Sequence, residues 1–225
     1  MYRVVASTPY FRDRVDAGAR LADRLAGMVG DSPVVVAIPR GGVVVGAEVA
    51  RGLEAELDVV VARKLGAPHH PELGIGAVSA DNVRFLNLPL LRQLQITEEY
   101  LARVTRAESA EARRREAQFR HGLAPIEVTR ATVVLVDDGL ATGATMRAAA
   151  RSLRARGPRR LVVAVPVGSQ QACVELRQDA DEIVCLAVPE PFHAVGQYYV
   201  DFGQVEDREV LRLLEENRHA RVAGR

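Results

Sequence analysis

The sequence has little cysteine, almost no net charge and no long apolar run, and each absence excludes a class of protein. Two cysteines among 225 residues make neither a disulfide framework nor a cysteine-based zinc site. We therefore expect Cys173 and Cys185 to be reduced, buried thiols. The formal charge of +1 at pH 7 gives no overall electrostatic case for binding nucleic acid or a membrane, so any such surface would have to be local.

No apolar run reaches the roughly 18 residues that a transmembrane helix needs. The N-terminal segment, residues 1–16, has no long apolar core and carries acidic residues early, unlike a secretory signal peptide. We therefore expect a soluble, cytoplasmic protein without membrane partners. A length of 225 residues suits one domain with a sizeable core and room for a small accessory lobe.

Apolar runs and amphipathic stretches alternate along most of the chain. We predict strands where both faces are apolar and helices where apolar residues recur at helical spacing. The predicted strands are 34–38, 57–65, 131–137, 160–167 and 182–188, and the predicted helices among them are 13–29, 43–53, 144–156 and 169–178. This alternation predicts an α/β fold with a central, mostly parallel sheet flanked by helices.

Three segments depart from the alternation. Residues 66–88 are rich in Gly, Pro and His and predict a loop followed by a hairpin. Residues 97–120 predict the longest helix, with Thr97 as its N-cap and acidic residues in its first turn. Aromatic residues cluster in the tail, residues 189–216, and predict a small lobe over the edge of the sheet.

Two acidic residues follow the predicted strand in VVLVDDGLATGAT, residues 133–145. Burying charge is costly unless the charge is paired, so we expect a ligand to be the partner. Asp137 and Asp138 offer only acceptor oxygens when ionised. Such oxygens suit the vicinal hydroxyls of a sugar or a hard divalent cation.

The small residues after the acids predict an anion site. Gly143 and its alanine neighbours let backbone N–H groups approach a ligand closely, and two threonines add hydroxyl donors. The N-terminus of the following helix adds partial positive charge, which favours a phosphate. The residues assigned to this 141–145 loop are Ala141, Thr142, Gly143, Ala144 and Thr145. With the acids beside it, the loop predicts a pocket for ribose 5-phosphate.

The first two predicted strands end in basic residues. Arg40 and Gly41 follow the first strand, and Arg63 and Lys64 end the second. Ligands of parallel sheets lie beyond the carboxyl ends of the strands, so these groups are expected to meet a second, larger anion, with a metal ion completing the charge balance. A sugar with phosphate at one end and pyrophosphate at the other is phosphoribosyl pyrophosphate.

These residues resemble a known family. VVLVDDGLATGAT is similar to the phosphoribosyl-pyrophosphate motif of type I phosphoribosyltransferases, and IPRGG, VARKLGAP, PELGIGAV and AVGQYYVDFG together resemble a bacterial group of phosphoribosyltransferases. The resemblance implies one phosphoribosyltransferase domain over 1–225, with a flexible loop at about 66–80, an inserted helix at about 97–120 and a hood at about 189–216.

The resemblance also implies the roles of the site residues. Arg40, Gly41 and Lys64 would contact pyrophosphate, and Asp137 and Asp138, with Arg40 and Lys64, would be the catalytic set. The activity implied is Mg²⁺-dependent transfer of ribose 5-phosphate from phosphoribosyl pyrophosphate to a nucleobase or related small acceptor, in nucleotide metabolism and nucleoside salvage. Independently of the resemblance, we expect a homodimer, the commonest assembly of soluble proteins. The alternative is a non-catalytic regulator that binds phosphoribosyl pyrophosphate.

The tail, FHAVGQYYVDF, loosely resembles the hood of hypoxanthine-guanine phosphoribosyltransferases. On this resemblance Phe192 or Tyr198 stacks on the base, and Asp201 joins Asp137 and Asp138 at the Mg²⁺ ion. One extra residue separates Gly196 from Asp201, and the nearest basic residues upstream of the hood are Arg177 and Arg160, not a lysine. The identity of the acceptor base therefore stays open.

Simpler structural roles stay open for most of these residues. The two acids could cap a helix, Arg40 could occupy an ordinary turn, and Lys64 could be a solvated loop residue. The aromatic candidates and His193 could belong to the core of the small lobe. Adjacent His69 and His70 lack a third ligand for a metal. The basic run 113–115 has acidic neighbours, which favours a solvated helix face over a nucleic-acid surface.

Overall fold

Eight strands and seven α-helices make up the structure, a computed structural model in which residues 10–30 and 32–223 are described. The strands are β1 (Val34–Ala37), β2 (Glu56–Val59), β3 (Ala62–Ala67), β4 (His70–Ser79), β5 (Arg84–Leu86), β6 (Thr132–Val136), β7 (Arg160–Val167) and β8 (Glu182–Ala187). The helices are α1 (Arg14–Leu25), α2 (Gly41–Gly52), α3 (Leu88–Gln93), α4 (Glu98–Arg120), α5 (Ala144–Ala155), α6 (Gln170–Leu176) and α7 (Asp207–Ala223), and a 3₁₀ helix spans Val195–Tyr198.

Five parallel strands form the central sheet in the order β2-β1-β6-β7-β8. From β1 the chain proceeds to β2 on one side, and from β6 it proceeds to β7 and β8 on the other. The strand order therefore reverses between β1 and β6, which pair in register from Val34 with Val133 to Ala37 with Val136. Ligands of parallel α/β sheets bind at such a reversal, beyond the carboxyl ends of the strands, so the candidate site is expected in this crevice.

Helices cover both faces of the central sheet, which explains why its strands are apolar throughout. One layer packs alternate strand residues such as Val35 and Val134 against α1, α2 and α7. The other layer packs residues such as Val36 and Leu135 against α5 and α6. The predicted parallel α/β sheet is confirmed.

The predicted second strand, 57–65, is wrong as a single element. The chain leaves the central sheet after β2 and enters an antiparallel sheet of order β3-β4-β5. Arg63 and Lys64 therefore lie within β3 and not at the end of a central strand. The physical reason is the polarity of this pair, because a strand of the central sheet has both faces buried whereas β3 keeps Lys64 exposed.

The segment predicted as a flexible loop, 66–80, is built from the end of β3 and the whole of β4, with the turn at Pro68 and His69. The antiparallel sheet that contains this hairpin packs against α5, where Arg147 and Arg151 lie 4.3 and 5.3 Å from the centre of the ring of Phe85 on β5. It also contacts α4, where the Tyr100 hydroxyl donates to the Gly66 carbonyl at 2.8 Å. Movement of the hairpin tip stays a prediction.

The tail also differs from the prediction of one small lobe over 189–216. Residues 189–206 contain the short 3₁₀ helix, and Tyr198 and Tyr199 pack with Phe11 and Val167. From Asp207 the chain forms α7, whose Val210 and Leu214 belong to the main apolar layer. Because α7 buries these side chains against the central core, only the part before it can act as a hood. In the described part of the chain, no helix is both long and apolar enough to cross a membrane.

The long helix α4 confirms the helix predicted at 97–120, with the Thr97 side chain accepting from the Tyr100 N–H as N-cap. Its last residue, Arg120, is buried and donates to both carboxylate oxygens of Asp58 on the edge strand β2, at 2.8 and 3.1 Å. Asp58 also accepts from the Ile126 N–H at 3.0 Å. This network fixes α4 to the edge of the central sheet.

We expect Arg120→Ala to lower the free energy of unfolding by about 3–5 kcal/mol, because it leaves the buried Asp58 carboxylate without its cation. Denaturant titration measures the loss. Arg114→Ala on the exposed side of the same helix is the matched control and should leave the free energy of unfolding nearly unchanged, because exposed ion pairs contribute little. Asp58→Leu combined with Arg120→Met should recover most of the stability. Equal losses for the two single variants would contradict this role of Arg120.

Candidate active site

The acid pair, Asp137 and Asp138, directly follows β6 at the strand reversal. One Asp137 carboxylate oxygen accepts from the Asp138 N–H at 2.8 Å. Burial, together with the neighbouring charge of Asp138, raises the pKa of Asp137 well above its ordinary value. The pair therefore places several acceptor oxygens where the loop after β6 meets the loop after β1.

Arg14 is the cation that partners the acid pair, and sequence reasoning missed it. Its Nε donates to the Asp138 carboxylate at 2.7 Å, and its Nη1 donates to the Gly203 carbonyl at 2.8 Å. Its guanidinium carbon lies 3.8 Å from the centre of the Phe202 ring. The side chain is only 12% exposed. In the sequence Arg14 is one polar residue in an amphipathic helix, so no local signal distinguished it.

Gly41 brings the β1 loop against the acid pair. A side-chain carbon at Gly41 would lie 1.9 Å from the Asp138 carboxylate and 2.8 Å from Arg14 Nε, and one at Gly42 would lie 2.9 Å from the Asp137 Cα. Both contacts are too short for any larger residue. The two glycines therefore allow the start of α2, with its free amides, to touch the acids.

Arg40 precedes this contact and is half-buried. Its Nη1 lies 3.5 Å from an Asp207 carboxylate oxygen at the start of α7. The peptide bond that joins Pro39 to Arg40 is cis. The structure therefore brings Arg40 and Gly41 to the acid pair's side of the sheet, as expected.

The 141–145 loop lies on the other side of the acids and leads into α5. Gly143 has φ +77°, a left-handed conformation that glycine adopts without strain. The loop is supported from below by Leu140, whose N–H donates to the Val167 carbonyl at 2.9 Å and whose carbonyl accepts from the Ser169 N–H at 2.8 Å. The first amides of α5 have no partner within the helix, so the loop retains the features expected of a phosphate site.

Two residues expected at the acid pair, Lys64 and Asp201, have other hydrogen-bond partners. Lys64 is in the antiparallel sheet, where its Nζ donates to the Glu72 carbonyl at 2.9 Å and pairs with the Glu72 carboxylate at 3.2 Å. Asp201 lines a cleft of about 440 Å³ with Gly203, the first turn of α7 and Arg14, which also binds Asp138. Its carboxylate accepts from the Gly203 N–H at 3.0 Å.

Within residues 10–30 and 32–223, no three acidic, histidine or cysteine side chains gather closely enough to form a metal site. Asp201 therefore does not complete one with the acid pair. Magnesium usually takes one or two protein carboxylates and fills its other positions with substrate phosphates and water. The acceptor oxygens of Asp137 and Asp138 fit that mode of binding.

The two aromatic candidates differ in exposure. Tyr198 is 1% exposed, its hydroxyl donates to the Pro191 carbonyl at 3.2 Å, and its ring stacks on Phe192 at 5.4 Å. It is therefore part of the tail's core. Phe192 is half-buried and lines a cleft of about 570 Å³ with Ser169 and Gln170, so it is the more accessible of the two rings. Tyr199 has another role, since its hydroxyl donates to the Asp138 carbonyl at 2.6 Å.

We expect Asp137→Asn to stabilise the protein at neutral pH, because the raised pKa of Asp137 means that the folded state disfavours its ionised form. The stability that the protonated Asp137 carboxyl contributes is fully present at low pH and is lost as the pH rises through its folded pKa. The stability gained by the Asn variant should therefore disappear at acidic pH. Thermal melts across pH measure it. Asp138→Asn is the matched control and should instead cost about 1–3 kcal/mol, since it weakens the bond from Arg14. A melting temperature that falls at neutral pH in Asp137→Asn would contradict the assignment.

The chain matches the phosphoribosyl transferase domain family over residues 12–202. A protein of Mycobacterium tuberculosis H37Rv that is provisionally named a phosphoribosyl transferase is 46% identical over 205 residues. The matched region covers 91% of this chain and 46% of that protein, so the chain spans about half the length of the curated relatives it matches.

Solved structures similar to this chain include one close in sequence and one distant in sequence. The protein TT1426 from Thermus thermophilus is 47% identical with a TM-score of 0.77, over 92% of this chain and 98% of that one. The protein AQ2163 from Aquifex aeolicus is 13% identical with a TM-score of 0.51, over 81% of this chain and 78% of that one. The second likeness is one of fold alone.

Proposed function

The chain belongs to the phosphoribosyl transferase domain family, and from this premise we propose that it transfers ribose 5-phosphate from phosphoribosyl pyrophosphate to a nucleobase or related small acceptor, with release of pyrophosphate. One observation carries the proposal: the acid pair lies against Gly41 of the β1 loop and precedes the 141–145 loop by two residues. The carboxylates suited to the ribose hydroxyls thus lie between two anion-binding segments, the start of α2 and the 141–145 loop.

Each part of the substrate has a partner in this arrangement. The 141–145 loop and the N-terminus of α5 bind the 5-phosphate through backbone amides and threonine hydroxyls. Asp137 and Asp138 accept from the ribose hydroxyls. Arg40 and the Gly41 amide at the start of α2 bind pyrophosphate, and Lys64 would join them only if its pair with Glu72 opens. Phe192 stacks on the acceptor.

The reaction breaks the bond between ribose C1 and the pyrophosphate oxygen and forms a bond from C1 to an acceptor nitrogen. Fixing both ends of the sugar holds C1 in line with the acceptor and supplies much of the rate enhancement. The Arg40 guanidinium stabilises charge on the departing pyrophosphate. Burial raises the pKa of Asp137, which makes its carboxylate a stronger base toward a proton of the acceptor. When bound with pyrophosphate, Mg²⁺ supplies further charge neutralisation, and Asp137 and Asp138 are the residues that would hold it.

Several finer points stay predictions. They are magnesium dependence, the homodimer, the cytoplasmic location, a role in nucleoside salvage and closure of the 66–80 hairpin over the site. The alternative, a regulator that binds phosphoribosyl pyrophosphate without turnover, is separated from the enzyme by the assay below. Because the chain spans about half of its M. tuberculosis relatives, the assay applies to the activity of this domain.

The central experiment measures pyrophosphate release from magnesium phosphoribosyl pyrophosphate across a panel of purine, pyrimidine and pyridine bases. We expect release with at least one base and none from the double variant Asp137→Asn, Asp138→Asn, which should still fold. Binding without release for every base would favour the regulator. Failure of the wild-type protein to bind phosphoribosyl pyrophosphate at all would overturn both.

We predict that Arg40 and Arg14 contribute to different parts of the substrate. Arg40→Ala should weaken phosphoribosyl pyrophosphate roughly 10- to 100-fold and leave ribose 5-phosphate nearly unchanged, because it loses a charged hydrogen bond to pyrophosphate alone. Arg14→Ala should weaken both ligands by similar factors, because it acts through Asp138. Calorimetric titration of the two ligands measures each factor.

Arg12→Ala is the matched control for this pair of variants. Arg12 is a neighbouring arginine whose side chain is 74% exposed and pairs only loosely with Asp13, at 3.2 Å, so it should leave both affinities unchanged. If Arg14→Ala spared ribose 5-phosphate and weakened only the pyrophosphate ligand, Arg14 would be a direct pyrophosphate contact and not a positioning residue.

A further inference from the structure

The two cysteines, expected to be unrelated buried thiols, are neighbours in space and half-buried. Cys173 is on α6 and Cys185 is on β8, and both thiols are free. A side-chain carbon at Gly168 would lie 3.1 Å from the Cys173 sulfur and 3.3 Å from the Cys185 sulfur. Gly168 therefore makes the space in which the two sulfurs approach each other.

The two thiols interact unequally. The Cys185 thiol donates to the Ala187 carbonyl at 3.1 Å. The neighbouring Cys185 thiol lowers the pKa of Cys173, and the nearby Arg177 charge acts in the same direction. Contact with Cys173 and burial together raise the pKa of Cys185. Cys173 is therefore the better nucleophile, since the thiolate is the reactive form, and Cys185 is the thiol beside it that can resolve an oxidised Cys173.

This pair lies directly under the 141–145 loop. The side-chain carbon of Leu140 lies 3.1 Å from the same position above Gly168. Ser169, at the start of α6, bonds its hydroxyl to the Ala141 carbonyl at 2.7 Å. Ala172, next to Cys173, lies 3.5 Å from the position of a side-chain carbon at Gly143. A shift of α6 relative to β8 is therefore transmitted to the loop.

We propose that Cys173 and Cys185 form a redox-sensitive pair that closes to a disulfide on exposure to a hydroperoxide and thereby displaces the 141–145 loop. The effect of this displacement on substrate affinity rests on the proposed function, but the disulfide and the displacement do not. A disulfide holds its sulfurs about 2.05 Å apart, well inside the contact distance of two thiols. Because Cys173 is on α6 and Cys185 is on β8, the bond ties these two elements to each other, and α6 carries the Ser169 and Ala172 contacts to the loop.

The chemistry balances with the peroxide as the oxidant. The Cys173 thiolate attacks the O–O bond, which breaks to give a sulfenic acid on Cys173 and an alcohol, or water when the oxidant is hydrogen peroxide. The Cys185 sulfur then attacks the sulfenic sulfur, a disulfide bond forms, and water leaves with the Cys185 proton. Two electrons pass from the sulfurs to the peroxide. A dithiol reductant reverses the disulfide by exchange.

The first test uses hydrogen peroxide on the full chain and on two matched variants, Cys173→Ser and Cys185→Ser. We expect the wild-type protein to lose both titratable thiols together and the mass of two hydrogen atoms, while staying free of intermolecular crosslinks. Each single variant should lack this mass change. Oxidation of the wild type that only adds oxygen, or only joins chains, would overturn the pair.

The second test measures the loop with no substrate present. Hydrogen exchange of the peptide covering residues 139–146 should increase in the oxidised wild type and return on dithiothreitol treatment. It should not change in peroxide-treated Cys185→Ser. Exchange that is the same in the dithiol and disulfide forms would overturn the proposed displacement even if the disulfide forms.

The third test links the pair to the proposed function. Loss of one good hydrogen bond to the phosphate predicts a roughly tenfold weaker Kd for ribose 5-phosphate in the oxidised wild type, restored by reduction. Equal affinity of the two forms would overturn regulation at this site. If the reduced protein binds neither ribose 5-phosphate nor phosphoribosyl pyrophosphate, the proposed function fails, whereas the mass and exchange results still decide whether the disulfide forms and moves the loop.

Discussion

The close approach of two loops at the strand reversal is the constraint on which the candidate site depends. A side-chain carbon at Gly41 would overlap the Asp138 carboxylate at 1.9 Å, so the β1 loop and the acid pair can meet only because glycine is there. The contact exists because β1 and β6 pair in parallel and end together, at Ala37 and Val136. This contact sets the position of the start of α2 relative to the acid pair.

The same contact creates an electrostatic problem that the rest of the structure answers. Two carboxylates partly removed from water repel each other, and the raised pKa of Asp137 is the result. Arg14 offsets the charge of Asp138 from a helix 124 residues away, and Tyr199 satisfies the Asp138 carbonyl. Among the described residues, Asp137 has no ion pair of this kind. The arrangement therefore retains an unfavourable carboxylate in the site, as expected for a group kept for a ligand and not for stability.

Sequence reasoning was reliable where one physical signal decided the outcome. Strands with both faces apolar, such as β1 and β6, follow from the need to bury them, and α4 follows from its N-cap and length. It was less successful where tertiary contacts decide. The chain turns out of the central sheet between β2 and β3, which depends on hydrogen bonds such as that from the Ala80 N–H to the Val61 carbonyl at 3.2 Å. Arg14 reaches Asp138, and Lys64 reaches Glu72, only because of where separate elements pack, and neither partner can be predicted from local residue pattern.

The two ends of the site are held by different kinds of interaction, and this difference has a consequence for binding. The 141–145 loop rests on main-chain hydrogen bonds from Leu140 to Val167 and Ser169, whose geometry is fixed by the sheet. The opposite end has side-chain ion pairs, Arg14 with Asp138 and Arg40 with Asp207. On the proposed assignment, a phosphate can enter the first end while those main-chain bonds stay intact, whereas a pyrophosphate must compete with Asp207 for Arg40. That assignment therefore concentrates the ordering cost of binding at the pyrophosphate end.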